Sequence, residues 1–295
     1  MKIKKVVIPV AGKGTRFLPA TKEIPKEMIP ILDRPMIHYA VEEAVKANIE
    51  EVIFVTSKGK EVIEKYFQRN STLEEFLSKN GKEKQLQNIK NIGDMISFKT
   101  VEQSEQLGLG HAVLCAEELV GDEPFAVILG DDLILSSEPV VGQLMKISEE
   151  KNFSPVIGVM EVPNEETFRY GIVSGNMLND KTLKMDSMVE KPEPQNAPTN
   201  LATPGRYILT PDIFQCLKEI PRGSGGEYQL TDAINHLAKK RDVYAHVFEG
   251  DRFDTGNLDC YLNAMVEFAL RDQRTEGLMR NIIKDKAAQM ERGLL

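Results

Sequence analysis

Apolar residues occur along the chain as short unbroken runs separated by stretches of helical period. The first run, Val6-Val7-Ile8-Pro9-Val10, stops at Ala11-Gly12-Lys13-Gly14-Thr15-Arg16. A short apolar run without polar alternation predicts a strand buried on both faces of a sheet, here over residues 3–10. Residues 11–34 then read as a long loop punctuated by Pro19, Pro25 and Pro30. Such a loop inside a compact domain is usually functional. Behind Pro35, a favourable first helical position, Ile37, Tyr39-Ala40-Val41 and Ala44-Val45 fall on one helical face. Glu51–Val55 predicts a second strand and Lys60–Gln68 a second helix. This β-α-β alternation predicts parallel strands joined by right-handed crossovers.

The polar, lysine-rich stretch 70–95 reads as one or two exposed helices, with Ser71-Thr72-Leu73-Glu74 as a start signal. Further strands are expected at Ile96–Val101, Pro124–Leu129 and Ser154–Met160, with a helix over about 138–150. After Pro163 the pattern changes. Short β segments at Tyr170–Ser174 and Leu183–Glu190 predict an antiparallel layer joined to the main sheet. Leu201–Leu209 reads as a strand, Pro211–Glu219 and Glu227–Lys240 as helices, and Val243–Phe248 as the last strand. From Asn257 onward the expectation is helix alone. No internal repeat or low-complexity tract interrupts this order.

Composition narrows the function classes. The 295 residues carry a formal net charge of -8, which disfavours nucleic acid or an acidic membrane as a main partner. Positive charge is instead local, in Lys13, Arg16, Lys22 and Lys26 of the first loop. Cys115, Cys216 and Cys260 are far apart and form no C-x-x-C pair, so neither a disulfide framework nor a zinc site is expected, and a reducing cytoplasm fits. No apolar run approaches membrane-spanning length, and the basic start leads straight into a strand rather than a cleavable leader.

The loop chemistry points to a polyphosphate. Ligands of open α/β sheets bind at the carboxyl ends of strands. Glycines at 12 and 14 permit close backbone approach, and successive N–H groups in such a turn cradle anions. Two common occupants are disfavoured. Phe17 stands where a dinucleotide fingerprint needs a third glycine or alanine, and no Gly-Lys is followed by Ser or Thr as a P-loop requires. Asp131-Asp132, after the apolar strand at 124–129, suits a hard divalent cation that shares its coordination with substrate phosphates. Glu190-Lys191-Pro192 offers a carboxylate for sugar hydroxyls and a point charge for a phosphate. His111 starts a helix with no nucleophile beside it in sequence, which favours packing or capping over catalysis.

Ala11-Gly12-x-Gly14-Thr15-Arg16-x-x-Pro19 followed by Pro25-Lys26 resembles the signature of the sugar-1-phosphate nucleotidyltransferases. Lys22–Pro30, Leu107–Ala112, Val189–Pro192, Gly205–Leu209 and Glu227–Ala233 extend the resemblance, in order, over roughly residues 3–265. The branch approached most closely uses UTP and glucose 1-phosphate. The resemblance implies a Rossmann-like three-layer α/β/α fold: a mixed, mostly parallel sheet with a small antiparallel layer and C-terminal helices. It implies a catalytic unit over 1–265, its nucleotide-binding half about 1–150 and its sugar-binding half about 151–256. The helical segment 266–295 would then offer an oligomer contact, in a dimer or tetramer.

The same resemblance implies the roles of individual residues. Arg16 and Lys26 serve the triphosphate and leaving pyrophosphate. Ala11, Gly12, Gly14, Thr15, Gln103 and Gly108 hold the nucleotide, with Gln103 at the base. Asp131 binds Mg²⁺, with Asp254 of Arg252-Phe253-Asp254 as a second contact. Gly171 and Glu190 hold the sugar, and Lys191 its phosphate. A thymidylyltransferase is the nearest alternative. A catalytically inactive sugar-nucleotide sensor is the alternative of another class.

Overall fold

The computed structural model describes residues 2–294; Met1 and Leu295, the outer limits of the expected divisions 1–265 and 266–295, lie outside the described residues. A ten-stranded sheet organises the chain. Its strands run across the sheet in the order Leu201–Thr203, Gly171–Met177, Thr182–Glu190, Tyr244–Val247, Val156–Glu161, Arg206–Leu209, Phe125–Ile128, Lys5–Pro9, Glu51–Thr56, Ser97–Glu102. The last four are mutually parallel, as β-α-β alternation requires. Arg206–Leu209 enters antiparallel beside Phe125–Ile128 and turns the sheet mixed. The hairpin 171–177/182–190 supplies the antiparallel layer. Leu201–Thr203 pairs with both 171–177 and 156–161, so this half of the sheet curls back on itself.

The first strand shows why an unbroken apolar run was needed. Val7 points to one face, packing with Ile53, Val127 and Val113, while Val6 and Ile8 point to the other with Phe54, Ile37 and Val141. Helices Met36–Lys46 and Val140–Glu150 cover the second face; Leu109–Cys115, Asp212–Glu219 and Leu230–Ala238 cover the first. Each brings an apolar stripe to the central strands, which are buried on both faces, the arrangement expected of an α/β layer fold.

Several elements depart from the sequence pattern. The expected strand Leu201–Leu209 is two strands, broken at Pro204-Gly205, where Gly205 has φ +94°. Proline removes a ladder donor, and the left-handed glycine redirects the chain. Residues 70–95 form two helices, Ser71–Lys79 and Glu83–Gly93. The helix expected at Glu227 begins only at Leu230, because Tyr228 pairs its backbone with Leu107 and Gly110 instead. Tyr244–Val247 is not the last strand: Asp251–Asp254 follows and forms an antiparallel ribbon with Asp132–Leu135. The loop 11–34 is ordered by three short 3₁₀ turns and a two-residue β pairing of Pro30–Ile31 with Arg34–Pro35. No described helix is long and apolar enough to cross a membrane.

Candidate functional site

The carboxyl ends of Lys5–Pro9, Glu51–Thr56 and Phe125–Ile128 open on one side of the sheet, and the first loop folds over them. Gly14 sits at φ +64°, and a Cβ there would lie 3.0 Å from the Lys26 stem. A residue other than glycine would thus strain the backbone and displace the lysine. Thr21 closes the turn by donating to the Gly14 carbonyl at 2.7 Å.

The loop is pinned from beneath by Lys60, which has no part in the signature motif. Its buried ammonium donates to the carbonyls of Val10 and Gly12, the latter at 2.6 Å, and to Glu27 Oε2 at 2.9 Å. Burial pushes Glu27 above the usual carboxylate range even against Lys60 and Lys26, and burial lowers Lys60. Glu27 is 2% exposed, and its other oxygen, Oε1, has no hydrogen-bond partner among the described residues. Leaving such an atom unpaired costs about 1–3 kcal/mol. Sequence spacing gave no signal for Lys60, because its partners lie more than 30 residues away.

Glu27 lines a cavity of about 240 Å³ together with Ala11, Gly12, Lys26, Gln103, Gln106, Gly108 and Glu227. Four of the six expected nucleotide residues, Ala11, Gly12, Gln103 and Gly108, therefore converge. Gly14 and Thr15 do not line it; Gly14 shapes the turn, and Thr15 is exposed in the first 3₁₀ turn. Gly108, at φ +98°, could not carry a side chain, since a Cβ would come within 2.7 Å of Glu227. Gln106, which sequence reasoning passed over, donates to the Ala11 carbonyl at 2.8 Å.

Leu109 and Glu227 also border a larger cleft of about 520 Å³. It is lined by Arg16, Asp131, Asp132, Arg169, Tyr170, Gly171, Glu190, Lys191, Tyr207, Thr231, Arg252 and Asp254, among others. Residues from both halves of the chain thus meet across one opening. Glu190 and Gly171 are register partners in the hairpin. Thr231 donates to Glu190 Oε2 at 2.6 Å and orients the carboxylate. Lys191 turns out of the strand at φ +46°, a conformation unfavourable for a residue with a Cβ, and its side chain stands mostly in solvent. Lys13 and Lys22, expected in the anion loop, are exposed and line a neighbouring groove with Lys58 and Ser104.

Asp131, Asp132 and Asp254 each have a cation against them. Lys26 Nζ lies 2.6 Å from Asp131 Oδ2. Burial alone would raise Asp131, but Lys26 outweighs it and holds the carboxyl below its ordinary range. Burial would likewise lower Lys26, and Asp131 raises it instead. Asp132 and Asp254 face each other across the ribbon, with Arg252 two residues along the same face. Arg252 donates to Asp132 and, at 2.7 Å, to the Tyr170 hydroxyl. Burial still pushes Asp132 up to about 6. Asp254 accepts from Arg169 at 2.6 Å and from the Gly256 amide at 2.7 Å. Thr255 ties this strand to the Asp131 carbonyl through both its amide and hydroxyl.

No cluster of three or more His, Cys, Asp or Glu poised to hold a metal occurs among the described residues. Two separate carboxylates facing a cleft with room for phosphates nevertheless fit Mg²⁺, which keeps most of its shell for water and substrate oxygens.

Comparison with known proteins agrees with this architecture. The nucleotidyl transferase family profile matches residues 5–270. The UTP–glucose-1-phosphate uridylyltransferase of Staphylococcus epidermidis is 47% identical over 283 residues, covering 96% of this chain and 98% of the relative. That of Bacillus subtilis is 45% identical over 294 residues, covering 100% and 98%. A UDP-glucose pyrophosphorylase crystallised with UDP-glucose superposes with a TM-score of 0.84 at 43% identity, covering 92% of this chain and 100% of that one. The UTP-bound enzyme of Acinetobacter baumannii gives 0.89 at 40% identity, covering 95% and 98%.

Proposed function

Because the chain belongs to the nucleotidyl transferase family, we propose that it transfers UMP from UTP to α-D-glucose 1-phosphate, giving UDP-glucose and pyrophosphate. The observation that carries this reading is the adjacency of two cavities, which share Leu109 and Glu227 in their linings. One is lined by the glycine turns and Gln103; the other sets Arg16 and Asp131 opposite Glu190 and Lys191. Relatives 45–47% identical over nearly the whole chain bear the name of this activity.

The attacking phosphate oxygen is already ionised at neutral pH, so no general base is needed. The difficulty is to bring two polyanions together. Catalysis of phosphoryl transfer rests mainly on positioning and charge stabilisation. Arg16 and Lys26 hold the β- and γ-phosphates and stabilise the departing pyrophosphate. Lys191 guides the sugar phosphate for in-line attack on the α-phosphorus. Glu190, oriented by Thr231, and the Gly171 backbone hold glucose hydroxyls. Gly14 and Thr15 keep the turn that presents the loop amides. Asp131 and Asp254 would hold Mg²⁺, which when bound neutralises phosphate charge. Lys26 and Arg169 would then release these carboxylates to the cation.

The nucleotide belongs to the half before about residue 150 and the sugar to the half after it, with both in one unit ending near 265. Beyond it, helix Glu276–Glu291 buries none of its residues and exposes Leu278, Ile282, Ile283 and Met290. We assign this face to a second copy, in a dimer or tetramer acting in the cytoplasm. Light scattering of Leu278→Glu/Ile282→Glu tests it, with a shift to monomer expected.

A substrate matrix tests the activity. UTP, dTTP, CTP, ATP and GTP are crossed with several sugar 1-phosphates, with and without Mg²⁺, while pyrophosphate release is measured. The expected maximum is UTP with glucose 1-phosphate. A maximum at another pair overturns the specificity, and no release at all favours a sensor.

A further inference from the structure

His111, in the first turn of the helix Leu109–Cys115, stands behind Gln103 of the smaller cavity's wall, and the reaction gives it no task. Its ring nitrogens, however, complete a short chain of hydrogen bonds that begins at the Gly108 carbonyl. Gln103 is 5% exposed and lines the cavity. Its Nε2 donates to the Gly108 carbonyl at 3.1 Å and lies 3.1 Å from His111 Nδ1. A carbonyl can only accept, so Gly108 fixes which end of the amide is nitrogen. The second amide hydrogen then points to Nδ1, which must accept. His111 is therefore the tautomer protonated on Nε2, and that N–H faces Cys115 Sγ at 3.9 Å, a weak acceptor.

Both donors of the Gln103 amide are spent on the protein. Among the described residues nothing donates to its Oε1, which is left as the amide's only free polar atom. We propose that His111 is a positioning residue that fixes this orientation, and through it makes the site select a pyrimidine carrying a ring N–H. Uracil presents a donor at N3, which an oxygen accepts. Cytosine presents an acceptor at the same place and would meet Oε1 with like polarity. The assignment rests on the uridine-nucleotide reading and adds the device that enforces it. With His111 unable to accept, the amide loses one of its two anchors. It can then rotate to offer nitrogen, and discrimination falls.

The test compares UTP and CTP binding to the full chain by titration calorimetry in wild type, His111→Phe and His111→Asn. Phenylalanine keeps the ring volume without an acceptor; asparagine returns an oxygen near the Nδ1 position. The expected result is a fall of about tenfold or more in the UTP-over-CTP affinity ratio for His111→Phe, the size of one misdirected hydrogen bond. His111→Asn should stay near the wild-type ratio. A merely structural role would weaken both nucleotides alike and leave the ratio unchanged, which overturns the proposal. So does an equal fall in ratio for both variants. A wild-type chain that does not prefer UTP overturns the uridine reading together with this assignment, whereas a preference that survives His111→Phe overturns this assignment alone. Should the phenylalanine variant not fold, ¹⁵N spectra of the wild-type chain labelled at its four histidines decide. A bare Nδ1 on His111 is expected, and a protonated one refutes the arrangement.

Discussion

Arg206 and Glu43 form one buried ion pair, Lys60 and Glu27 another. The first sits under the sheet, where Arg206 is 1% exposed. Its guanidinium reaches Glu43 Oε2 at 2.8 Å and the Leu129 carbonyl at 3.2 Å. Glu43 Oε1 also accepts from the Val141 amide at 3.1 Å. Both carboxylate oxygens are occupied, and the pair joins the helices Met36–Lys46 and Val140–Glu150 to the strand Arg206–Leu209. The second pair sits under the glycine loop. Lys60 spends its three hydrogens on Val10, Gly12 and Glu27, but Glu27 keeps one oxygen bare beside the smaller cavity. A saturated pair fixes a structure. An unsaturated one holds a loop in place while leaving a buried acceptor bare.

Removing one partner should hurt both regions most. Arg206→Met strands Glu43, and Lys60→Met strands Glu27; each should cost about 3–5 kcal/mol in denaturant unfolding. A loss below about 1 kcal/mol for Lys60→Met would mean that the loop does not depend on its buried pin. Arg16 should behave in the opposite way. It is exposed on the cleft, so Arg16→Ala should lower kcat by about 10²–10³ with an unchanged unfolding midpoint. Near-normal turnover would remove Arg16 from the phosphate site.

The structural side also carries an acid sensitivity. His38 is buried on the Met36–Lys46 helix, and burial lowers it to about 4 from 6.5. Below pH 6.5 the unfolded chain takes up a proton that native His38 refuses until about pH 4. Stability should therefore fall as pH drops through that window, by up to about 3 kcal/mol. His38→Gln should flatten this part of the stability–pH curve; an unaltered slope would show that His38 is not its source.

The smallest effect separates the pairs most cleanly. Glu43→Leu/Arg206→Met and Glu27→Leu/Lys60→Met each replace an ion pair by apolar residues, a change often close to neutral for stability. The first should leave UTP affinity unchanged, and the second should weaken it by about tenfold, because the loop that lines the smaller cavity loses the pin Lys60 gives it. Equal nucleotide affinities would show that the Lys60–Glu27 pair does not shape the nucleotide cavity.

Much was legible in the chain itself. Unbroken apolar runs fixed the buried parallel strands, since only a sheet covered on both faces tolerates Val6-Val7-Ile8 without alternation. Gly14 and Gly108 announced turns that need a missing Cβ, and Asp131 announced a carboxylate at a strand end. These are local signals, carried by residue type and short spacing. The ribbon of Asp132–Leu135 with Asp251–Asp254 was not legible, because four-residue strands gain their stability from a partner more than 100 residues away. Sequence separation, here 48 and 41 residues, likewise hid Lys60 beneath the loop and Thr231 behind Glu190. It also hid the cations that hold Asp131, Asp132 and Asp254. The sequence by itself determined the layers, the turns and the kinds of chemical group at the site. Tertiary structure alone decided which charges face each other and which polar atom is left bare, because pairing energies depend on distance and burial, and neither is written in the order of residues.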